Sequence, residues 1–240
     1  PTGFVLSEAE ITVTIGAVDE VVEIELVNYF IKGNIELTKV DNDYPDNRLT
    51  GAEFEVYADT NGDGKLDSSD KLLGAMTELD GGVYQMKELR YGKYLVREKT
   101  APTGFVLDEN VYSVSIEENG KTYIVENEAG VGFVNAAQKG SLKIVKTSSD
   151  GKVEGFSFRV TGADGYDQTF KTDKDGEIFI EGLRIGEYTV SEVNDSVSAG
   201  YILPADKQAT VKVGATTIVR CTTSFGIPRK RAMTLILPCG

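Results

Sequence analysis

Residues 82–98 read GVYQMKELRYGKYLVRE, and residues 176–192 read GEIFIEGLRIGEYTVSE. Both stretches begin with Gly, alternate in apolar character, contain a Leu-Arg-x-Gly turn and end in Glu. The segments before them are also alike, GAEFEVY at 51–57 and GFSFRVT at 155–161. Self-similarity of this kind is the signature of a repeat architecture. The sequence therefore predicts one fold that is used more than once along the chain.

A second set of repeats shows where each unit ends. PTGFVL occurs at 1–6 and again at 102–107, and an alternating stretch follows each copy, ITVTI at 11–15 and YSVSI at 112–116. A predicted strand that ends in Asn comes next in both places. Two residue pairs keep the same offset of 107 residues: Asn28 with Asn135, and Lys39 with Lys146.

These repeats divide the chain into four parts. Residues 1–31 match the end of a truncated repeat, so the chain is interpreted as a piece of a longer protein. A complete repeat is expected at 32–138 and a further one at 139–226, and an atypical tail covers 227–240. Adjacent repeats of the same protein are therefore the first expected partners.

Strand periodicity dominates each repeat. Ile35, Leu37 and Lys39 fall on one face of a strand because successive side chains of a strand point to opposite faces. Clusters of Gly, Asn and Asp interrupt the apolar runs at intervals typical of short strands. The segment KLLGAMTEL at 71–79 fits a short helix or a strand equally well. We predict an all-β protein built of tandem β-sandwich domains.

Residues 94–105, YLVREKTAPTGF, resemble the E-box of Cna B-type domains, also called SpaA-type or prealbumin-like domains. These domains form stalks and pilins of Gram-positive surface proteins. The resemblance covers about residues 1–223 and implies Greek-key sandwiches of prealbumin or immunoglobulin type. It also implies a spontaneous isopeptide bond between a Lys in the first strand and an Asn in the last, assisted by a Glu. The matching residues of the middle repeat are Lys39, Asn135 and Glu98.

Burial makes these residue types reactive. A neutral lysine amine attacks a carboxamide, and burial favours the neutral forms of both an amine and a carboxyl group. A neutral Glu98 is expected to hydrogen-bond the carbonyl of Asn135 and to relay protons to the departing ammonia. Taken singly, a strand lysine is usually solvated and an Asn at a strand end usually forms a turn. The prediction depends on Lys39 sharing the face of core residues, since buried Lys and Glu are rare unless paired or reacted.

The last repeat keeps only part of this set. Lys146 and Glu192 align with Lys39 and Glu98, but Thr223 stands where the acceptor Asn is expected. Threonine has no carboxamide. We therefore expect this domain to fold without the bond and to leave Lys146 and Glu192 as an ion pair, which is weak evidence of stability.

The two ends of the chain fall outside the pattern. Asn28 is expected to lack a lysine partner, because the strand that would carry it precedes residue 1. Residues 237–240 read LPCG, which is similar to an LPxTG sorting signal without its Thr, so anchoring is not predicted from this segment. Cys221 and Cys239 are expected to stay unpaired.

A loop inserted in the middle repeat has the ligand spacing of an EF-hand, with Gly at its sixth position. The candidate ligands are Asp59, Asn61, Asp63, the carbonyl of Lys65, Asp67 and Asp70. No helix pair flanks the loop, and an acidic hairpin tip has the same composition. A calcium loop and a solvated tip therefore both stay open. No cofactor is expected to be required, and calcium is the one optional ion.

Composition removes several classes of function. The 240 residues contain no His, which excludes Ser-His-Asp hydrolases, Cys-His proteases and His-ligated zinc enzymes. The net charge of −13 is opposite in sign to that of a nucleic-acid binder. No apolar run reaches the roughly 20 residues that a membrane-spanning helix needs.

We therefore expect a structural stalk or adhesion segment, and not an enzyme, on the cell-wall-associated, extracellular surface of a Gram-positive bacterium. Two alternatives stay open. One sandwich face binds a host extracellular-matrix protein or a glycan, although the chain offers no Trp for a glycan platform. In the other, the chain is an accessory region of a large secreted enzyme. The fold by itself does not decide among them.

Overall fold

The computed structural model describes residues 2–126, 130 and 132–226, and it divides between residues 137 and 138 into two compact domains. The first domain holds the strands β1 (Lys32–Asp41), β2 (Glu53–Ala58), β3 (Lys71–Ala75), β4 (Thr77–Leu79), β5 (Val83–Arg90), β6 (Gly92–Thr100), β7 (Val111–Ile116), β8 (Thr122–Val125) and β9 (Phe133–Asn135). The second domain holds β10 (Lys139–Ser148), β11 (Ser157–Gly162), a 3₁₀ turn (Ala163–Gly165), β12 (Asp167–Lys171), β13 (Glu177–Arg184), β14 (Gly186–Glu192), β15 (Tyr201–Ile202), β16 (Lys207–Val211) and β17 (Thr216–Phe225). The all-β prediction is confirmed.

The first domain is a sandwich of two sheets. One sheet has the order β4-β5-β1-β8, with β9 also paired to β1, and the other has the order β3-β2-β6-β7. Strand β1 lies between an antiparallel neighbour, β5, and the parallel strands β8 and β9. Its buried residues pack against those of β2 and β6 in a single core, which includes Ile35, Leu37, Phe54 and Val96. Through the pairing of β1 with β9, the first strand of the domain is hydrogen-bonded to its last strand.

The second domain repeats this plan. Its sheets have the orders β13-β10-β17-β15 and β12-β11-β14-β16, so β10 takes the place of β1 and β17 the place of β8 and β9. Strand β17 runs alongside β10 in parallel without interruption from Thr216 to Thr223. The core again joins both sheets through Leu142, Ile144 and Phe158. Two tandem domains of one fold are therefore present, as the repeats predict.

The segment before β1 differs from the prediction. A strand that ends at Asn28 was expected there, but residues 5–29 form no strand, and Ile11, Val13 and Ile15 are exposed. An isolated strand is unstable without a partner edge and a core to cover. The two ends of the segment are joined by a β-bridge and ring stacking between Phe4 and Phe30.

The segment at 71–79 forms strands and no helix. Strand β3 pairs with β2 in one sheet, and β4 pairs with β5 in the other. Met76 lies between them, and it is buried. The segment therefore crosses from one sheet to the other at the edge of the sandwich.

Candidate functional site

Strand pairing brings Lys39 and Asn135 to one face of one sheet. On the parallel strands β1 and β9, Lys39 lies opposite Phe133 and Asp41 lies opposite Asn135. Residues two apart on a strand share a face, so Lys39 and Asn135 are diagonal neighbours. Diagonal neighbours are within reach of a long side chain such as lysine. Lys39 is fully buried, which agrees with its predicted place on the face of Ile35 and Leu37.

Glu98 on β6 meets Asn135 from the opposite sheet. Glu98 is 3% exposed and Asn135 is 2% exposed. The side-chain nitrogen Nδ2 of Asn135 donates to Oε1 and to Oε2 of Glu98, both at 2.9 Å. The backbone amide of Asp108 donates to Oε2 of Glu98 at 2.8 Å. Glu98 thus lies against the buried carboxamide of Asn135, and Lys39 lies on the neighbouring strand β1.

One detail of the expected chemistry is corrected. Glu98 was expected to hydrogen-bond the carbonyl oxygen of Asn135, but it accepts from the amide nitrogen instead. The oxygen Oδ1 of Asn135 is buried, and among the described residues no hydrogen-bond donor reaches it. Glu98 is therefore placed at the nitrogen that an acyl transfer would expel.

The environment of Lys39 favours its neutral form. Burial lowers the pKa of Lys39 from its ordinary value of 10.5 to about 8, against the opposing pull of the carboxylates of Glu98, Asp108 and Asp41. The amine Nζ donates to the carbonyl of Phe133 at 2.8 Å, and it lies 5.2 Å from the centre of the Phe133 ring. A pKa of about 8 leaves roughly a tenth of the amine neutral at pH 7. That fraction is available as a nucleophile.

The second domain retains the Lys and the Glu without the carboxamide. On β10 and β17, Ser148 lies opposite Thr223, which is the register of Asp41 and Asn135 in the first domain. Thr223 is fully buried. The position predicted for the acceptor is thus held by a hydroxyl, which Lys146 contacts directly.

The Lys146–Glu192 pair is buried and poorly satisfied. Both side chains are fully buried, with 3.5 Å between Nζ and Oε1. Neither oxygen of Glu192 receives a hydrogen bond from the described part of the chain. Burial lowers the pKa of Lys146 and raises the pKa of Glu192, in each case toward the neutral form. Cys221 lies beside this pair as a buried free thiol, and burial raises its pKa to about 11.

The other predicted residues lie elsewhere. Asn28 is exposed in the strandless segment before β1. Cys239 and the LPCG segment at 237–240 lie outside the described residues. Asp108 and Phe133 were missed by sequence reasoning, because they act through main-chain groups, which leave no mark in a pattern of side chains.

In the acidic loop between β2 and β3, carboxylates accept hydrogen bonds from backbone amides of the same loop. Asp59 is 9% exposed and accepts from the amides of Gly62 and Gly64, at 2.6 and 3.1 Å. Asp70 accepts from the amides of Thr60 and Asp67. Within the described ranges, no three carboxylate or thiol side chains are grouped so as to hold a metal ion. Calcium binding stays a prediction of the ligand spacing.

The main-chain hydrogen bonds of Asp59 lead to a direct test. Replacing Asp59 by alanine leaves two amides without their acceptor and is expected to lower the free energy of unfolding by about 2 kcal/mol, without calcium. Asp63→Ala is the matched control, because the exposed Asp63 accepts from the nearby amide of Lys65 and should matter little. Urea unfolding in EDTA and in millimolar calcium is the measurement. A loss that appears only with calcium would show that the ion, and not the loop itself, uses this carboxylate.

Among the residues that the structure describes, no helix is both long enough and apolar enough to span a membrane.

Comparison with known proteins identifies the fold of both domains. The family model described as SpaA, a prealbumin-like fold domain, matches residues 33–129 and 140–224. Among solved structures, the TIE protein of Bacillus anthracis is 27% identical with a TM-score of 0.70. That alignment covers 92% of this chain, which spans 39% of the length of the Bacillus protein. No curated protein matches the chain at a significant level.

Two pilins are more distant in structure. The shaft pilin SpaA of Lactobacillus rhamnosus GG is 16% identical with a TM-score of 0.37, and the alignment covers 86% of this chain and 100% of that one. GBS52, the minor pilin of Streptococcus agalactiae, is 15% identical with a TM-score of 0.37, with 87% and 100% covered.

Proposed function

The chain belongs to the family of SpaA prealbumin-like fold domains, and from this premise we propose that it is a structural segment of a Gram-positive surface protein whose first domain is closed by an isopeptide bond between Lys39 and Asn135. The observation that carries the proposal is the contact of the buried Glu98 with the amide nitrogen of Asn135, beside a buried lysine on the neighbouring strand. The mass of the intact chain tests it, because the bond expels one molecule of ammonia.

The reaction is an intramolecular acyl transfer. The neutral amine of Lys39 attacks Cγ of Asn135, a bond forms between Nζ and Cγ, and the bond between Cγ and Nδ2 breaks. Glu98 accepts the proton that the amine loses and delivers it to Nδ2, which leaves as ammonia. Holding the two groups on paired strands replaces a bimolecular aminolysis by a unimolecular step. The protein acts once on itself and does not turn over.

A route for the ammonia supports the same assignment. A shallow depression of about 330 Å³ that is open to solvent is lined in part by Asn135, Leu107, Asp108 and Tyr112. Ammonia that forms at Asn135 leaves through this opening. The crosslink is then irreversible, because the expelled amine is diluted into solvent.

The bond gives the domain a mechanical role. In a row of domains, tension enters each domain through its first strand and leaves through its last. A covalent tie between β1 and β9 carries this tension past the hydrogen bonds of the sheet, so the sandwich does not unzip. We propose on this basis an extracellular, cell-wall-associated location and adjacent repeats of the same protein as partners.

The lowered pKa of Lys39 predicts how bond formation depends on pH. Below the pKa of about 8 the neutral fraction of the amine rises tenfold per pH unit, so the rate is expected to rise about tenfold per unit and to level off above pH 8. The rate is measured as ammonia loss by mass spectrometry on freshly folded chain. Lys39→Arg is the control, because arginine stays protonated and forms no bond at any of these pH values. A rate that does not change below pH 8 would contradict this mechanism.

A further inference from the structure

The two buried glutamates differ in the hydrogen bonds that they receive. Glu98 accepts from Asn135 and from the backbone amide of Asp108. Glu192 occupies the same position on its strand, yet neither of its oxygens receives a hydrogen bond within the described part of the chain. Replacement of the acceptor by Thr223 explains the loss of the first donor. It does not explain the loss of the second.

An antiparallel backbone pairing follows each of the two glutamates, and it shows which residues of the two loops are equivalent. In the first domain, Phe105 forms an antiparallel bridge with Ala137. In the second domain, Tyr201 pairs with Phe225 in the same way. Each partner lies two residues after the acceptor position of its domain. Phe105 and Tyr201 are therefore equivalent, although the second loop is two residues longer before this point.

Counting from this landmark locates the missing donor. The third residue after Phe105 is Asp108, and the third residue after Tyr201 is Pro204. Proline has no backbone N–H and cannot donate. The hydrogen bond that Glu98 receives from residue 108 is therefore unavailable to Glu192 from residue 204.

Asp108 is itself held in place by its side chain. One carboxylate oxygen accepts from the backbone amide of Asn110 at 3.0 Å, and the other accepts from the hydroxyl of Tyr112 at 2.7 Å. Tyr112 lies opposite Val96, and Lys207 takes its place opposite the equivalent Val190. The side-chain hydrogen bonds that hold Asp108 therefore have no counterpart at Pro204.

We propose that Asp108 is a positioning residue for the crosslink: its backbone amide holds Glu98 against the leaving nitrogen of Asn135, and Pro204 removes this device from the second domain. The inference rests on the proposed function of the first domain. The second domain then lacks two groups that the reaction uses: the side-chain carboxamide, which Thr223 replaces, and the backbone N–H, which is missing at Pro204. Restoring the carboxamide alone then gives a poor reaction.

The size of the effect follows from the strength of such a hydrogen bond. A hydrogen bond to a charged group changes an equilibrium by about one to two powers of ten. A carboxylate without this donor has more than one orientation open to it, so it spends less time at the leaving nitrogen. We expect the rate of bond formation to fall at least about tenfold without the amide.

The first experiment removes the amide from the first domain. Asp108→Pro deletes the donor, whereas Asp108→Ala keeps the backbone N–H and deletes only the carboxylate. Because both variants lack the carboxylate, they differ in the backbone N–H, and we expect Asp108→Pro to form the Lys39–Asn135 bond at least about tenfold more slowly than Asp108→Ala. The readout is ammonia loss over time by intact mass, with the bond located by peptide mapping.

The second experiment adds the missing parts to the second domain, so that it does not depend on whether Asp108→Pro folds. Thr223→Asn is compared with Pro204→Ala/Thr223→Asn, and the bond is sought between Lys146 and residue 223. The double variant is expected to react at least about tenfold faster. Equal rates in the two variants, including no bond in either, would overturn the inference. Absence of the Lys39–Asn135 bond from the unaltered chain would instead refute the proposed function.

Discussion

Asn135→Ala is expected to produce a chain whose mass equals that of its sequence, whereas the unaltered chain is lighter by one ammonia molecule. The variant has no carboxamide for Lys39 to attack, and the strands β1 and β9 are then joined by hydrogen bonds alone. Lys39 and Asn135 lie 96 residues apart in the chain. A covalent tie that closes a loop of this size stabilises a protein by about 4–5 kcal/mol, by analogy with a disulfide.

The same variant is expected to lose thermal stability. A loss of about 4–5 kcal/mol lowers the midpoint of thermal unfolding by about 20 °C or more in a domain of about 100 residues. Calorimetry measures the transition of the first domain, and mass spectrometry of peptides locates the bond. Asn28→Ala is the matched control, because Asn28 occupies the position of Asn135 in the preceding sequence repeat but is exposed. Equal masses relative to sequence for the unaltered chain and Asn135→Ala would contradict the crosslink.

The other large effect is expected on the stability of the second domain, when one member of the buried Lys146–Glu192 pair is replaced. Lys146→Met leaves Glu192 buried without its ion-pair partner, and Glu192→Leu leaves the Lys146 amine with only the neutral oxygens of Thr147 and Thr223. Removal of one member of a buried ion pair costs about 3–5 kcal/mol, whereas replacing both members by apolar residues is often neutral or stabilising. We expect each single variant to be destabilised by about 3 kcal/mol and the double variant to recover most of this loss.

Hydrogen exchange of the amides of β10 and β17 is the measurement, since it reports the second domain by itself. The double-mutant cycle needs three variants: Lys146→Met, Glu192→Leu and Lys146→Met/Glu192→Leu. A double variant as unstable as the sum of the single ones would show that the two charges do not depend on each other.

The direction of the two pKa shifts adds a pH dependence. The raised pKa of Glu192 means that its contribution to stability is full below its unfolded value of about 4.5 and is lost as pH rises through its folded value. The lowered pKa of Lys146 means that its penalty is full below its folded value and is relieved as pH rises toward 10.5. These two groups therefore stabilise the second domain least at a pH between 4.5 and 10.5, the ordinary pKa values of the two side chains. The double variant should lose this dependence.

The sequence by itself was sufficient for the all-β fold of the two complete repeats and for the faces on which Lys39 and Thr223 lie. Alternation with a period of two places Lys39 on the face of Ile35 and Leu37, and the structure has the same arrangement. The internal repeat placed Thr223 in the register of Asn135, and the pairing of β10 with β17 agrees. Both inferences succeed because a strand has a fixed side-chain period and because repeated units keep a common register. The isopeptide bond stays a prediction.

Only the tertiary structure decided how the buried groups meet. The contact of Glu98 with the nitrogen of Asn135, the donor amide of Asp108 and the lowered pKa of Lys39 depend on distances between strands that are far apart in the chain. The strandless segment at 5–29 was missed for the same reason, because its alternation predicts a strand but only a partner edge makes one. Local periodicity is written in the order of the residues, whereas hydrogen bonds and desolvation arise from groups that folding brings together.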